Sequence, residues 1–369
     1  MKMNANELPL KRRIEYFDLL KGIAIYLVVM GHVIAMCIRG LDAAFIFKLI
    51  EQVHMPIFFF VSGYFTYKAA EEKSFITPGL KKRFLQLIIP FLVLTPVWFF
   101  YYPHSRLLSP ICQDLPSLFC SVYKGGYWFP ICLFELCVLY ILLSAILRRL
   151  RRTGAQVAVL IAIYAVLIGV TTLFVDVDAD VDHAGLYLLT RFFPAFAIGV
   201  MAHHRREDFQ ALLQRRHTFS IALFTFAICF YCSAYPWDIW GQDLAYLWTP
   251  ATLILSPIMH FSLFVIAITL VKPWSEKEFA PEAKPSVVAR YFHLLGNESL
   301  GIYLLHYFFL FPLTMLQEPF KEMGLALVPL SVTAIVVAFC IIAITLAAIY
   351  IIKKSKIASQ LLLGTHYKK

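Results

Sequence analysis

The sequence predicts an all-α polytopic membrane protein with about ten transmembrane helices and both termini cytoplasmic. Three observations carry that expectation. Of 369 residues, 60% are hydrophobic and only 15% charged, more apolar surface than a soluble chain of this length can bury. Apolar runs of about 17–25 residues, the length that crosses a bilayer as a helix, recur along the whole chain. Basic residues collect in alternate gaps between those runs, as they do on the cytoplasmic side of membrane proteins.

The spans are expected near residues 15–38, 45–68, 84–102, 127–147, 156–175, 185–202, 217–236, 245–271, 297–317 and 326–352. The first follows Lys11, Arg12 and Arg13 and imitates a signal peptide. Its apolar run is too long, and no small-residue cleavage site follows, so it is expected to be retained. Lys48, Glu51, His54 and Pro56 interrupt the first half of the second. Even-numbered gaps hold Lys81, Lys82 and Arg83, then "RRLRR" at 148–152, then "HHRRED" and "RRH" within 203–217, then Lys272, Lys277, Lys284 and Arg290. Odd-numbered gaps hold Arg39, Arg106, Lys124, the acidic "DVDADVD" at 176–182, Asp238, Asp243 and Lys321. Basic residues flank both ends, finishing in Lys353, Lys354, Lys356, Lys368 and Lys369.

The net charge of +10 therefore reads as membrane orientation, and no nucleic-acid partner is expected. No linker, repeat or low-complexity block divides the chain. Residues 1–369 read as one transmembrane domain, with short cytoplasmic tails at 1–14 and 353–369. The eight cysteines form no metal-spaced cluster, and no metal is expected. Cys229 and Cys232 make a CxxC inside an apolar run, which reads as core packing. Cys112 and Cys120 share one loop and can pair if that loop faces an oxidising compartment.

Ionisable side chains inside a bilayer are costly unless paired, so they mark function or a buried pairing. In "FDLLKGIAIYLVVMGHV", residues 17–33, Lys21 and His32 lie eleven residues apart. That is about three helical turns, so they share a face roughly 16 Å apart along the axis. Asp18, three residues before Lys21, pairs with it locally. With a cytoplasmic N-terminus, Lys21 sits near the inner surface and His32 in the outer half. The second span runs inward and brings His54 to a comparable depth. The "MPIFFFVSGYF" that follows places Pro56 where it can kink the helix, and Ser62 and Gly63 where another backbone can approach. Further intramembrane polar residues are Glu135, Arg191, His260 and His306. Glu135 can pair with Arg191 or with a histidine. "YWFP" at 127–130, with Trp128, opens the fourth span at the outer interface. Asn297, Glu298 and Ser299 open the ninth, with Tyr303 and then His306 deeper along it.

These motifs together resemble the acyltransferase-3 family of integral membrane acyltransferases, in its sugar and polysaccharide O-acetylase branch. The most specific element is a basic residue, ten residues and a histidine in the first span, here Lys21-x10-His32. The family more often has Arg at the first position, and Lys lacks its bidentate fork. "HMPIFFFVSGYF" at 54–65, "KKRFLQLIIPF" at 81–91, "YWFP" and "SLGIYLLH" at 299–306 match family patterns in the same order. Some relatives carry an appended esterase-like domain; none is expected here.

The resemblance implies transfer of an acyl group, most often acetyl, from cytoplasmic acyl-CoA to a hydroxyl of a cell-surface or secreted saccharide, in a bacterial inner membrane. His32 is the expected general base, since an imidazole titrates near working pH. His54, Glu135 and His306 are candidates to orient it or to stabilise the oxyanion. Lys21, also expected among the catalytic residues, makes up the expected donor side with Asp18, Lys81, Lys82, Arg83 and Ser62. Trp128, Arg191, Tyr303 and Ser299 are the expected acceptor side. Oligomeric state is not legible. The alternative class is a proton-coupled transporter, since buried His and Glu also build proton relays. Against it stands the absence of an inverted repeat or of paired Gly/Pro-broken spans.

Overall fold

With no water in a bilayer core, each crossing segment must close its own backbone hydrogen bonds, and helix is what the apolar runs form. The computed structural model describes residues 14–38, 44–71, 76–101, 115–150, 152–175, 181–235, 250–323 and 327–365, with no β-strand among them. Several loop charges, the cysteine Cys112 and residues 176–180 of the acidic run lie outside the described residues.

Helix α1 (Glu15–His32) continues as a π-helical turn over Val33–Ile38. Next come α2 (Phe45–Glu71), α3 (Ile76–Arg83), a π turn over Phe84–Ile88, α4 (Ile89–Tyr101), the short α5 (Leu115–Cys120) and α6 (Trp128–Arg149). The middle of the chain forms α7 (Thr153–Phe174), α8 (Leu186–His204), α9 (Arg206–Leu213) and α10 (Thr218–Ala234). The last part forms α11 (Pro250–Glu278), α12 (Val287–Asn297), α13 (Ser299–Leu305), α14 (Gln317–Glu322), α15 (Leu327–Ile352) and α16 (Lys356–Leu363).

Seven of the described helices are long and apolar enough to cross a membrane, or up to nine if each of two bent helix pairs is one span. Trp128–Ser144 is a shorter apolar helix. This is a polytopic membrane protein. Its layering follows from which helices hide their apolar surface. Two thirds of the apolar window of α8 is buried (67%) against 11% of that of α7, so α8 is central and α7 faces lipid. Leu173 and Phe174 on α7, and Val328 and Ile351 on α15, project outward, as side chains solvated by acyl chains do.

Two glycine seams hold the centre together. A Cβ on Gly22 of α1 would lie 1.8 Å from the Phe292 carbonyl oxygen of α12, and one on Gly296 of α12 would lie 1.8 Å from the Asp18 carbonyl oxygen of α1. The contact is reciprocal, backbone on backbone. The same arrangement joins α2 to α8, where Gly63 meets the Phe196 carbonyl and Gly199 meets the Phe60 carbonyl, each at 2.1 Å from the added Cβ. The close approach expected at Gly63 is thus filled by α8. With no hydrophobic drive between helices in lipid, such small-residue contacts supply much of the association. Pro56 lies inside α2 without ending it.

The ninth expected span, 297–317, differs from a straight crossing. Helix α13 ends at Leu305, a 3₁₀ turn covers His306–Phe309, and the following segment departs at 84°. Pro312 gives the reason: it has no N–H to continue a ladder and biases Phe311 away from helical backbone. The Leu313 N–H instead bonds the Cys37 carbonyl (2.7 Å), at the end of the π turn that follows His32. That bond draws the ends of α1 and α13 together. The thiols of Cys229 and Cys232 are free on α10, Cys229 packed in a small apolar cluster with Phe230 and Met259.

Candidate active site

At that junction α1 delivers His32 and α13 delivers His306, 274 positions apart in sequence. His32 Nδ1 lies 2.8 Å from His306 Nε2. Their ring planes differ by 9° and their centroids are 5.0 Å apart, so the rings meet edge to edge in nearly one plane, as a direct N–H···N bond requires. His306 Nδ1 in turn lies 2.9 Å from the Ile302 carbonyl oxygen one turn back on its own helix. His306 is fully buried and His32 half-buried. The remaining nitrogen of His32, Nε2, faces a cavity and lies 3.2 Å from the Tyr307 hydroxyl.

The cavity is about 270 Å³ and is lined by groups from α1, α2, α8, α13 and the loop before α6. His54 and Glu51 come from α2, Arg191 and Phe192 from α8, and Tyr303 and Tyr307 from α13 and its 3₁₀ turn. His54 donates from Nδ1 to the Ile50 carbonyl (2.5 Å), which in the neutral ring leaves Nε2 as an acceptor. Arg191 donates a hydrogen bond to the Tyr187 hydroxyl oxygen and has Glu51 as its nearby counter-charge. The Trp128 indole stacks on Phe192 (5.2 Å between centroids, 11°), and Phe192 stacks on Phe59 (4.6 Å, 18°). This gives a flat aromatic wall beside a pair of opposite charges.

One rim is a glycine turn. Lys124, Gly125 and Gly126 have φ of 48°, 61° and 99°, left-handed backbone that glycine adopts at little cost. The turn brings the Gly126 carbonyl to Tyr303 Oη (2.6 Å) and Tyr307 Oη (3.2 Å), both of which donate to it. Buried Lys124 ties the turn to the carbonyls of Phe119, Ser121 and Asp182 (3.1, 3.0 and 3.3 Å). The Asp182 carboxylate accepts the Leu186 and Tyr187 N–H groups (2.9 and 2.8 Å), capping the start of α8. Anionic caps suit a helix N-terminus. The loop charges thus fasten the rim and set the level of Arg191.

Of the residues expected from sequence to act, His32, His54, Trp128, Arg191 and Tyr303 line this cavity, and His306 sits directly behind His32. Glu135, Lys21, Ser62 and Ser299 do not line it. Glu135 packs against Gly185 at the head of α8, near Lys124 and Asp182, and its Oε2 has no hydrogen-bond partner. No pairing of Glu135 with Arg191 or with a histidine is formed. Lys21 pairs with Asp18 (2.7 Å), as their spacing predicts, near the start of α1. Asp18 is buried and also lies 3.9 Å from His293 of α12, which holds Glu15 at 2.6 Å. Ligand atoms of Glu15, Asp18 and His293 come within 4.8 Å of one another, the one such group among the described residues; Lys21 and Asn297 already engage two of its members. Lys81 and Lys82 are exposed on α3, while Arg83 turns inward to Thr66 (2.9 Å). Sequence reasoning missed Tyr307, Tyr123 and the Gly125–Gly126 rim. The signal for the rim was the doubled glycine before "YWFP".

A membrane-embedded helical bundle with a histidine-centred polar cavity is the class of protein that the fold and site define. The acyltransferase domain family model matches residues 14–354, and the chain belongs to that family, acyltransferase-3. It is also similar to nodulation protein NolL of Mesorhizobium japonicum (37% identical over 118 residues, 31% of each chain). A second NolL, from Sinorhizobium fredii, is 40% identical over 80 residues, 21% of this chain and 22% of the relative. The similarity thus spans less than a third of those relatives. No solved structure matches.

Proposed function

We propose that this protein is an O-acyltransferase that moves an acyl group, acetyl first among them, from acyl-CoA to a hydroxyl of a saccharide. The observation that carries the reading is His32 Nε2 facing a cavity furnished with an aromatic wall and paired polar groups. An acceptor hydroxyl placed against Nε2 gives up its proton as its oxygen attacks the thioester carbonyl carbon. The tetrahedral intermediate then collapses, the C–S bond breaks, and the thiolate takes that proton back from His32, releasing CoA-SH and the O-acyl ester. A base positioned in this way contributes about 10²–10⁴-fold.

The stacked Trp128 and Phe192 suit the apolar face of a pyranose ring, with the Trp128 N–H free to reach a hydroxyl. Glu51 and His54 Nε2 accept hydrogen bonds and Arg191 donates them, which matches the mixed demands of sugar hydroxyls. The acyl donor is assigned to the side of the bundle that holds Lys21, near the start of α1, with exposed Lys81 and Lys82 on α3 as further cations to attract the phosphates of CoA. The positive-inside pattern supports a cytoplasmic position for that end and, with it, an acceptor cavity in the outer half; the membrane in this reading is a bacterial inner membrane. The test is purified protein given radiolabelled acetyl-CoA and candidate glycans. Acceptor-dependent CoA release with label on the glycan is expected; transport of an unmodified solute with no transfer would sink the reading.

A further inference from the structure

We propose that His306 is a positioning residue that sets the proton tautomer of His32, an inference that rests on the acyl-transfer reading above. The Ile302 carbonyl can only accept, so the His306 nitrogen 2.9 Å from it, Nδ1, carries a proton. Were that proton on Nε2 instead, the Nδ1 lone pair would face the carbonyl lone pairs in a site with no exposure to water. In the neutral ring His306 Nε2 is then an acceptor. His32 Nδ1, 2.8 Å away, must therefore hold a proton and donate it. The lone pair of His32 is left on Nε2, on the cavity side.

The direction of each bond is thus fixed from a backbone carbonyl outward through two rings to the reacting position. The chain does for His32 what a carboxylate does for the base of a hydrolytic triad, with a neutral acceptor in its place. When His32 takes the acceptor hydroxyl's proton on Nε2, its Nδ1–H stays bonded to His306 and the imidazolium is held in the same plane. The proton later leaves from Nε2 to the thiolate, and His306 ends each turnover as it began.

Tyr307 adds a placeholder to this arrangement. Its hydroxyl has two acceptors at equal distance, His32 Nε2 and the Gly126 carbonyl, each at 3.2 Å. With the cavity empty of acceptor it can cap the lone pair; rotation about its C–O bond returns the proton to Gly126 when an acceptor hydroxyl arrives.

Two readouts test the assignment on the full-length protein in detergent or nanodiscs. Histidine labelled with ¹⁵N reports directly which ring nitrogen is protonated, and His32→Ala identifies the His32 signals. The wild type is expected to show His32 protonated on Nδ1 and bare on Nε2. His306→Leu, which removes the acceptor, is expected to lose that pattern and to drop kcat by about 10- to 100-fold, the range for groups that orient a reacting histidine. Its KM for acetyl-CoA stays unchanged. His306→Gln, whose side-chain oxygen can accept from Nδ1–H, keeps the tautomer and recovers part of kcat; it also serves if the Leu variant fails to fold. Finding His32 protonated on Nε2, or full kcat in His306→Leu, overturns the proposal. The tautomer measurement needs no turnover, so failure of the acyl-transfer reading would show separately, as wild-type protein without transfer.

Discussion

Replacing Gly22 by Ala probes how tightly the α1–α12 seam sets the site. The added Cβ would fall 1.8 Å from the Phe292 carbonyl oxygen and 2.7 Å from its carbon, atoms of a helix backbone that cannot rotate aside. Real Cβ contacts do not fall below 3.0 Å, so the helices must part by more than an ångström there. Overpacking of this kind costs about 1–3 kcal/mol. The displacement also bears on chemistry. Helix α1 carries His32 at its far end, and α12 leads into the segment that carries His306. Opening their 2.8 Å contact by a comparable amount takes it beyond hydrogen-bonding range. A misplacement near 1 Å can cost roughly 10²-fold in rate. The assay is thermal unfolding of purified protein together with acetyl transfer. Gly169→Ala is the control: nothing lies within 4 Å of its added Cβ, and Ala in a helix interior gains about 0.5–1 kcal/mol over Gly. Gly22→Ala is expected to melt lower and to lose at least tenfold in kcat, with Gly169→Ala at or above wild type in stability. A wild-type midpoint and rate in Gly22→Ala would refute the seam's role.

Two further predictions concern the cavity rim and the donor end. Gly126→Ala meets both a φ of 99° and a Cβ 2.6 Å from the Tyr307 hydroxyl, so it should displace the tyrosine and lower kcat about tenfold or more, read by steady-state transfer. Lys21→Ala leaves the buried Asp18 without its 2.7 Å partner and thins the positive charge at the proposed donor mouth, so KM for acetyl-CoA should rise more than kcat falls; an unchanged donor KM counts against that role.

Much of the fold was legible because a bilayer demands long apolar helices, and their charged ends mark the gaps. The Asp18–Lys21 pair was legible because it is local, and Gly63 because a small residue beside a serine invites a neighbouring backbone. The break after His306 had a visible cause in Pro312, yet the length of the apolar run concealed it. What the sequence could not supply was convergence. His32 and His306 each read as a buried histidine, and it takes the glycine seam between α1 and α12, with the bond from Leu313 to Cys37, to bring their helix ends together. Glu135 read as a partner for Arg191 because both are rare intramembrane charges. Helix α8 instead turns Arg191 toward the cavity, while Glu135 stays by Gly185 at its head. Lys124 and Asp182 read only as loop charges, and their work as fasteners of the rim depends on carbonyls and N–H groups far away in sequence.

In the proposed reaction His32 Nε2 activates the acceptor hydroxyl. Wild-type and His32→Ala proteins, matched for folding by thermal unfolding, would be given radiolabelled acetyl-CoA with a glycan acceptor, and label on the glycan would be counted. Labelling by the wild type with a loss of about 10²–10⁴-fold in the variant is the predicted result. Equal labelling by both proteins would contradict it.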